Sequence, residues 1–100
     1  MNVEHFTEKA REAINEAAQI ARQRNHNQVE VEHLLAALLA QEGGVVPQII
    51  AKVGGNLAAA QRTINDELER MPHVYGGTEP GISPRLRKVL EDASVSYTHL

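Results

Sequence analysis

Imidazole is the side chain in this sequence with the widest chemical reach, since it ligates metals, moves protons and activates nucleophiles. It occurs at His5, His26, His33, His73 and His99. No two of these are three or four positions apart, so no helical turn presents a metal-binding pair. With no cysteine in the chain, a tetrahedral site also lacks its usual second donor. The scatter points to histidines at surfaces and helix starts. His33 and His99 each precede a leucine in two similar segments, and each is expected to satisfy backbone groups where a helix begins.

The other reactive side chains are equally dispersed. Asp and Glu number 13, yet none lies in an apolar setting that would raise its pKa for acid–base work. Glu30 and Glu32 flank Val31 at an expected helix start, where the helix dipole accounts for them. Ser83, Ser94 and Ser96 suggest no Ser-His-Asp arrangement. The doublets Gly43-Gly44, Gly54-Gly55 and Gly76-Gly77 adjoin helix ends, and none belongs to a G-x-x-x-x-G-K-[ST] phosphate loop. The sequence assigns no catalytic residue, no metal ligand and no cofactor site.

The elements that hold these residues are helical. The chain of 100 residues suffices for one modest core. Its aromatics are Phe6, Tyr75 and Tyr97 alone, so that core is aliphatic. Thr7 is a candidate N-cap with Phe6 before it, and Ala10, Ala13, Ile14, Ala17 and Ala21 follow at helical spacing. Asn25-His26-Asn27 ends this helix. Leu34 to Leu39 is apolar nearly all round, which describes a central, mostly buried second helix. Val46 to about Val53 forms a short third helix with Pro47 in its first turn, stopped by Gly54-Gly55. Asn56 caps a fourth, with Leu57, Ala60, Ile64, Leu68 and Met71 inward and Gln61, Arg62, Asp66, Glu67 and Arg70 facing water. Pro72 to Ile82 is a loop. Ser83-Pro84 opens a fifth helix carrying Leu86, Val89, Leu90 and Ala93, and beyond Ser94 the helical pattern fades.

The order of these segments contains a repeat. Phe6-Thr7-Glu8-Lys9-Ala10-Arg11-Glu12-Ala13-Ile14 returns by residue class as Ile82-Ser83-Pro84-Arg85-Leu86-Arg87-Lys88-Val89-Leu90. Val29-Glu30-Val31-Glu32-His33-Leu34 is echoed by Val95-Ser96-Tyr97-Thr98-His99-Leu100, ten residues short of the same spacing. Duplicated helical units bury their apolar faces against one another. The expected organisation is a first repeat over 1–71, an inter-repeat loop over 72–82 and a shortened start of a second repeat over 83–100. Two such units leave a groove suited to extended or helical peptides. Leu86 and Leu90 are placed either to line it or to be core, and spacing alone favours core.

Composition excludes other classes. The net charge of −3, with both signs mixed, offers no basic patch to nucleic acid or membrane phosphates. The lack of cysteine fits a reducing compartment. The N-terminus lacks a signal-peptide pattern, and no apolar run approaches the roughly 20 residues of a membrane span. A soluble, cytoplasmic protein is expected.

Taken together, Phe6-Thr7-Glu8-Lys9-Ala10, Val31-Glu32-His33-Leu34-Leu35-Ala36-Ala37-Leu38-Leu39 and Val46-Pro47-Gln48-Ile49-Ile50-Ala51-Lys52-Val53-Gly54 resemble the Clp N-terminal repeat. Leu68-Glu69-Arg70-Met71-Pro72-His73-Val74-Tyr75-Gly76 and Ile82-Ser83-Pro84-Arg85-Leu86 are most similar to the ClpB disaggregase branch of the Hsp100 chaperones. The resemblance implies an all-α, pseudo-two-fold domain built from two four-helix repeats. It implies a domain that hydrolyses nothing itself and captures unfolded or aggregated polypeptide. In the family, tethered AAA+ modules bind ATP, form a hexamer and thread the captured chain. The related alternative is docking of adaptor proteins, as in the Clp protease ATPases. By position, Thr7 matches a family threonine implicated in substrate handling, and Leu86, Leu90 and Leu100 match apolar positions around the family's peptide groove.

The pattern departs from the family after Ser94, where the family continues its fifth helix for about two turns and adds three more. Residues 94–100 read as an altered or truncated end. The expectation is that apolar faces of the first and fifth helices are exposed, giving marginal stability or self-association.

Overall fold

The computed structural model describes the backbone of residues 3–74 and 79–98, and the side chains of 8–74 and 79–92. Among the described residues five helices carry the fold: α1 (Val3–Gln23), α2 (Val31–Ala40), α3 (Val45–Lys52), α4 (Leu57–Arg70) and α5 (Pro84–Thr98). Two short strands, β1 (Gln28–Val29) and β2 (Gly81–Ile82), pair in parallel. The architecture is the expected all-helical one, with α2 at its centre in contact with each of the other four helices. Among the described residues no single helix is long and apolar enough to cross a membrane.

Small residues explain how closely α1 and α2 approach. Ala13, Ala17 and Ala21 of α1 are buried against Ala37 of α2, with no side chain beyond Cβ to hold the backbones apart. Val29 of β1 and Leu86 of α5 complete this cluster. Leu68 of α4, fully buried, closes the other side of α2. α2 is less enclosed than its composition suggests, because Leu35 is 43 % exposed.

Each helix end is set by local chemistry. α1 begins at Val3, so Thr7 lies within the helix and does not cap it; its side chain is outside the described residues. The C-terminus of α1 is a Schellman turn. Asn25 takes a φ of 59°, His26 N–H donates to Ala21 O and Asn25 N–H donates to Arg22 O. Asn56 caps α4 by accepting from Ala59 N–H at 3.0 Å, as its position predicts. Gly54, at φ 75°, turns the chain after α3 while Gly55 N–H reaches back to Ile50 O.

The chain from 79 to 83 corrects the loop reading. Gly81–Ile82 runs alongside Gln28–Val29, and Ser83 N–H donates to Val29 O at 3.0 Å. Buried Ser83 then caps α5, its Oγ accepting from Leu86 N–H at 3.0 Å. α5 continues to Thr98, past the point where the periodic pattern fades. Ser83→Ala is expected to cost about 1 kcal/mol. A thermal melt reads this as a Tm lower by about 4–8 °C for a domain of this size.

Among the described residues, exposed apolar surface lies only in part where the repeat pattern places it. The described inward positions of α1 are buried or half-buried, as is Leu86 of α5. An exposed stripe runs along α3 and its C-cap: Val45, Ile49 and Val53, at 42 %, 52 % and 76 % exposure. On α5, Val89 is the exposed apolar residue among those described.

Candidate functional site

The N-terminal half of α1, the middle of α2, the start of α3 and the second turn of α5 surround an apolar cleft of about 270 Å³. Ala10, Ala13 and Ile14 form one wall and Leu34 and Leu38 the floor. Val45 and Val46 close one end, and Leu90 overhangs from α5. Gln41 is the polar residue of the lining, and its amide is committed, donating from Nε2 to Lys9 O at 2.8 Å. Lys9 in turn donates from Nζ to Glu42 O. These two cross-links fix the α2–α3 turn against α1 and hold the cleft open between them. Its chemistry is that of an apolar side-chain receptor: no titratable group lines it.

The four sequence-predicted peptide-binding residues separate in space. Leu90 is half-buried on the cleft wall. Leu86, one turn earlier, is 1 % exposed and belongs to the core with Ala13, Ala17 and Val29. It leaves no face for a ligand, so the core reading of its spacing is the one the fold adopts. The side chain of Thr7 and all of Leu100 lie outside the described residues. Sequence reasoning missed Val45 and Val46 as cleft residues. The available signal was the β-branched pair straight after Gly43-Gly44, where a chain reversal must bring α3 back over α2.

A second cleft lies on the opposite side of α2, between α1 and α4, with Ile20, Ala36 and Ile64 below and Gln23, Arg24, Gln61 and Asn65 around its rim. Gln61, expected to face water, is half-buried and donates from Nε2 to Leu39 O at 3.1 Å.

The histidines, scattered in sequence, converge in the fold. His33 is at the third position of α2 and its Nδ1 accepts Glu30 N–H at 2.8 Å, half of a capping box with imidazole in place of Glu or Gln. That is the expected helix-start role; His99 lies outside the described residues. His26, placed by the Schellman turn, lies with Nδ1 2.7 Å from His33 Nε2. His73, after α4, hydrogen-bonds through Nδ1 to Arg24 O at 2.7 Å, its ring 5.3 Å from that of His26. Burial pushes the His33 pKa down to about 4, helped by His26 and Arg24 and opposed by Glu30 and Glu32. Burial, then His73 and Arg24, push His26 down too, against the Leu68 carbonyl. Among the described residues no group of three His, Cys, Asp or Glu side chains is placed to hold a metal ion.

Comparison with known proteins matches this arrangement of helices. The Clp repeat (R) N-terminal domain family matches residues 5–99. The chaperone protein ClpB of Nitratidesulfovibrio vulgaris is 39 % identical over 97 residues, covering 93 % of this chain and 11 % of that protein. ClpB of Clostridium perfringens is 36 % identical over 114 residues, covering 100 % and 13 %. The chain thus spans about a tenth of the length of these curated relatives. Among solved structures, the N-domain of ClpV from Vibrio cholerae superposes with a TM-score of 0.74 at 23 % identity, covering 95 % of this chain and 58 % of that one. A complex of the ClpV N-domain with a VipB peptide gives 0.73 at the same identity. A helical fold shared at that level, a family match across nearly the whole sequence and ClpB N-terminal segments well above 30 % identity lead to one conclusion: this chain belongs to the Clp repeat N-terminal domain family.

Proposed function

We propose that this domain captures apolar segments of unfolded or aggregated polypeptide for a ClpB-type, ATP-driven disaggregase, and that the cleft between α1, α2, α3 and α5 is where it holds them. The observation that carries this reading is the cleft's almost wholly apolar lining, with its one polar side chain already committed. Such a surface favours aliphatic and aromatic side chains by about 25 cal/mol per Å² buried and is indifferent to their sequence, as a receptor for many unfolded clients requires. In this reading the domain is a binding module, not an enzyme, and uses no cofactor of its own. ATP is spent by AAA+ modules of a hexameric full-length protein in the cytoplasm, and neither nucleic acid nor membrane is a partner. Of the positions matched to the family's groove, Leu90 is the cleft contact among the described residues; Thr7 and Leu100 are proposed as further peptide contacts.

A second reading is docking of a defined partner or adaptor segment, favoured by the solved complex of the ClpV N-domain with a VipB peptide. One experiment separates the two. Val46 lies in the first turn of α3, where a carboxylate suits the helix dipole. Val46→Asp therefore places a charge in the cleft with little strain on the fold. Binding of a permanently unfolded, alkylated test polypeptide is expected to weaken at least tenfold in this variant and in Leu90→Ser, with circular dichroism unchanged. Wild-type binding to that polypeptide with no loss in either variant would remove the cleft from the proposal. A folded wild-type domain that ignores unfolded chains would favour the defined-partner reading.

A further inference from the structure

The hydrogen bonds around His33 fix which nitrogens carry protons. Glu30 N–H donates to His33 Nδ1, so the neutral ring holds its proton on Nε2 and gives it to His26 Nδ1 at 2.7 Å. His26 then carries its own proton on Nε2, a buried atom with no partner within hydrogen-bonding geometry; the nearby Leu68 carbonyl is the acceptor it faces. The wire runs in one direction through two neutral rings. A second proton on His33 must go to Nδ1, against the Glu30 N–H. A second proton on His26 must also go to Nδ1, against the His33 N–H. Either cation therefore breaks the wire, and with it the link between the end of α1 and the start of α2.

The segment between those two histidines is the one on which α5 is seated. Val29 O accepts Ser83 N–H, β1 pairs with β2, and Glu32 and Glu30 face Arg85 of α5, the latter at 3.7 Å. These same two carboxylates act on His33 and favour its protonated form. Arg85 and a proton on His33 thus compete for one pair of acidic groups. The remaining neighbours, Arg24 at the end of α1 and the His73 imidazole after α4, oppose a cation at the pair. They disfavour the charged state in the closed arrangement.

We propose that the His26–His33 pair is an acid-opened latch: protonating it frees the β1 segment and undocks α5, withdrawing Leu86 from the core and Leu90 from the cleft wall. Two groups that compete for the same carboxylates are coupled reciprocally, so acid weakens α5 docking and removal of Arg85 eases protonation of His33.

The test uses NMR on the 100-residue chain. Between pH 7.5 and 5.0, amide protection factors over residues 83–90 are expected to fall at least tenfold and to end at least tenfold below those of α4 over 60–68. Arg85 is exposed, so R85Q folds, and the imidazole titration midpoint of His33 is expected to rise in it by at least half a pH unit. Protection over 83–90 that stays constant, or that equals that of α4 at both pH values, would overturn the latch. So would a His33 midpoint unmoved by R85Q.

Discussion

Leu86→Ala is expected to lower the stability of the domain by about 2–5 kcal/mol, the range for deleting a buried leucine side chain where the site collapses only in part. At 1 % exposure, between α1, α2 and β1, Leu86 is the fully buried side chain that α5 gives to the core among the described residues, with Leu90 packed at its edge. Alanine there would leave a void lined by Ala13, Ala17 and Val29, none of which is long enough to fill it. Leu90→Ala, one turn on and half-buried, loses a smaller buried area and is expected to cost less than half as much. Urea denaturation of the two variants checks the ordering. If Leu86→Ala cost under 1 kcal/mol, α5 would not be docked as described. The contrast also governs how binding is tested. A substitution at Leu86 damages the fold and removes ligand affinity indirectly, whereas Leu90 and Val46 alter the cleft itself.

The parts of this domain that a single strand of sequence specifies were legible in it. The caps at Asn56 and Ser83, the stop at Gly54-Gly55 and the inward stripe of α4 rest on contacts between residues a few positions apart, and the fold adopts each of them. Other features depend on what a distant segment supplies. Gln61 sits on the polar face of α4, yet α2 brings the Leu39 carbonyl within its reach. Pro72 to Ile82 has loop composition, and its last two residues become strand only because β1 offers a partner. Leu86 and Leu90 occupy similar places in a helical stripe, and their separation into core and cleft wall follows from their neighbours: Val29 and the α1 and α2 alanines enclose Leu86, while Leu90 borders the open cleft. The histidines show the same limit most plainly. Spacing along the chain keeps His26, His33 and His73 apart, and three successive chain reversals bring their rings within 5.3 Å of a shared centre at His26.

Acidification is therefore expected to destabilise the domain well above the pH at which carboxylates titrate. His33 is held neutral in the fold, with its pKa lowered from 6.5 to about 4, chiefly by burial. In the unfolded chain it takes up a proton near 6.5. A group whose folded pKa is depressed contributes stability that is whole above the unfolded value and is lost as pH falls toward the folded one. From pH 7.5 to pH 5.0 this histidine alone accounts for a loss of about 2 kcal/mol. His26, also lowered by burial and by its neighbours His73 and Arg24, adds to the loss in the same direction. Glu30 and Glu32 limit it, since they favour the His33 cation. Urea denaturation at the two pH values measures the sum, and His33→Gln identifies its source. Glutamine at the third helical position can still accept the Glu30 N–H as a capping box does, but it does not titrate. The variant is expected to be less stable than the wild type at pH 7.5, having lost a buried ring, and to lose much less on going to pH 5.0. An equal loss in both proteins would place the acid sensitivity elsewhere, with His26 the next buried imidazole to test. A diminished loss would mean that α2 starts with a group chosen for being neutral, and that the fold excludes its proton.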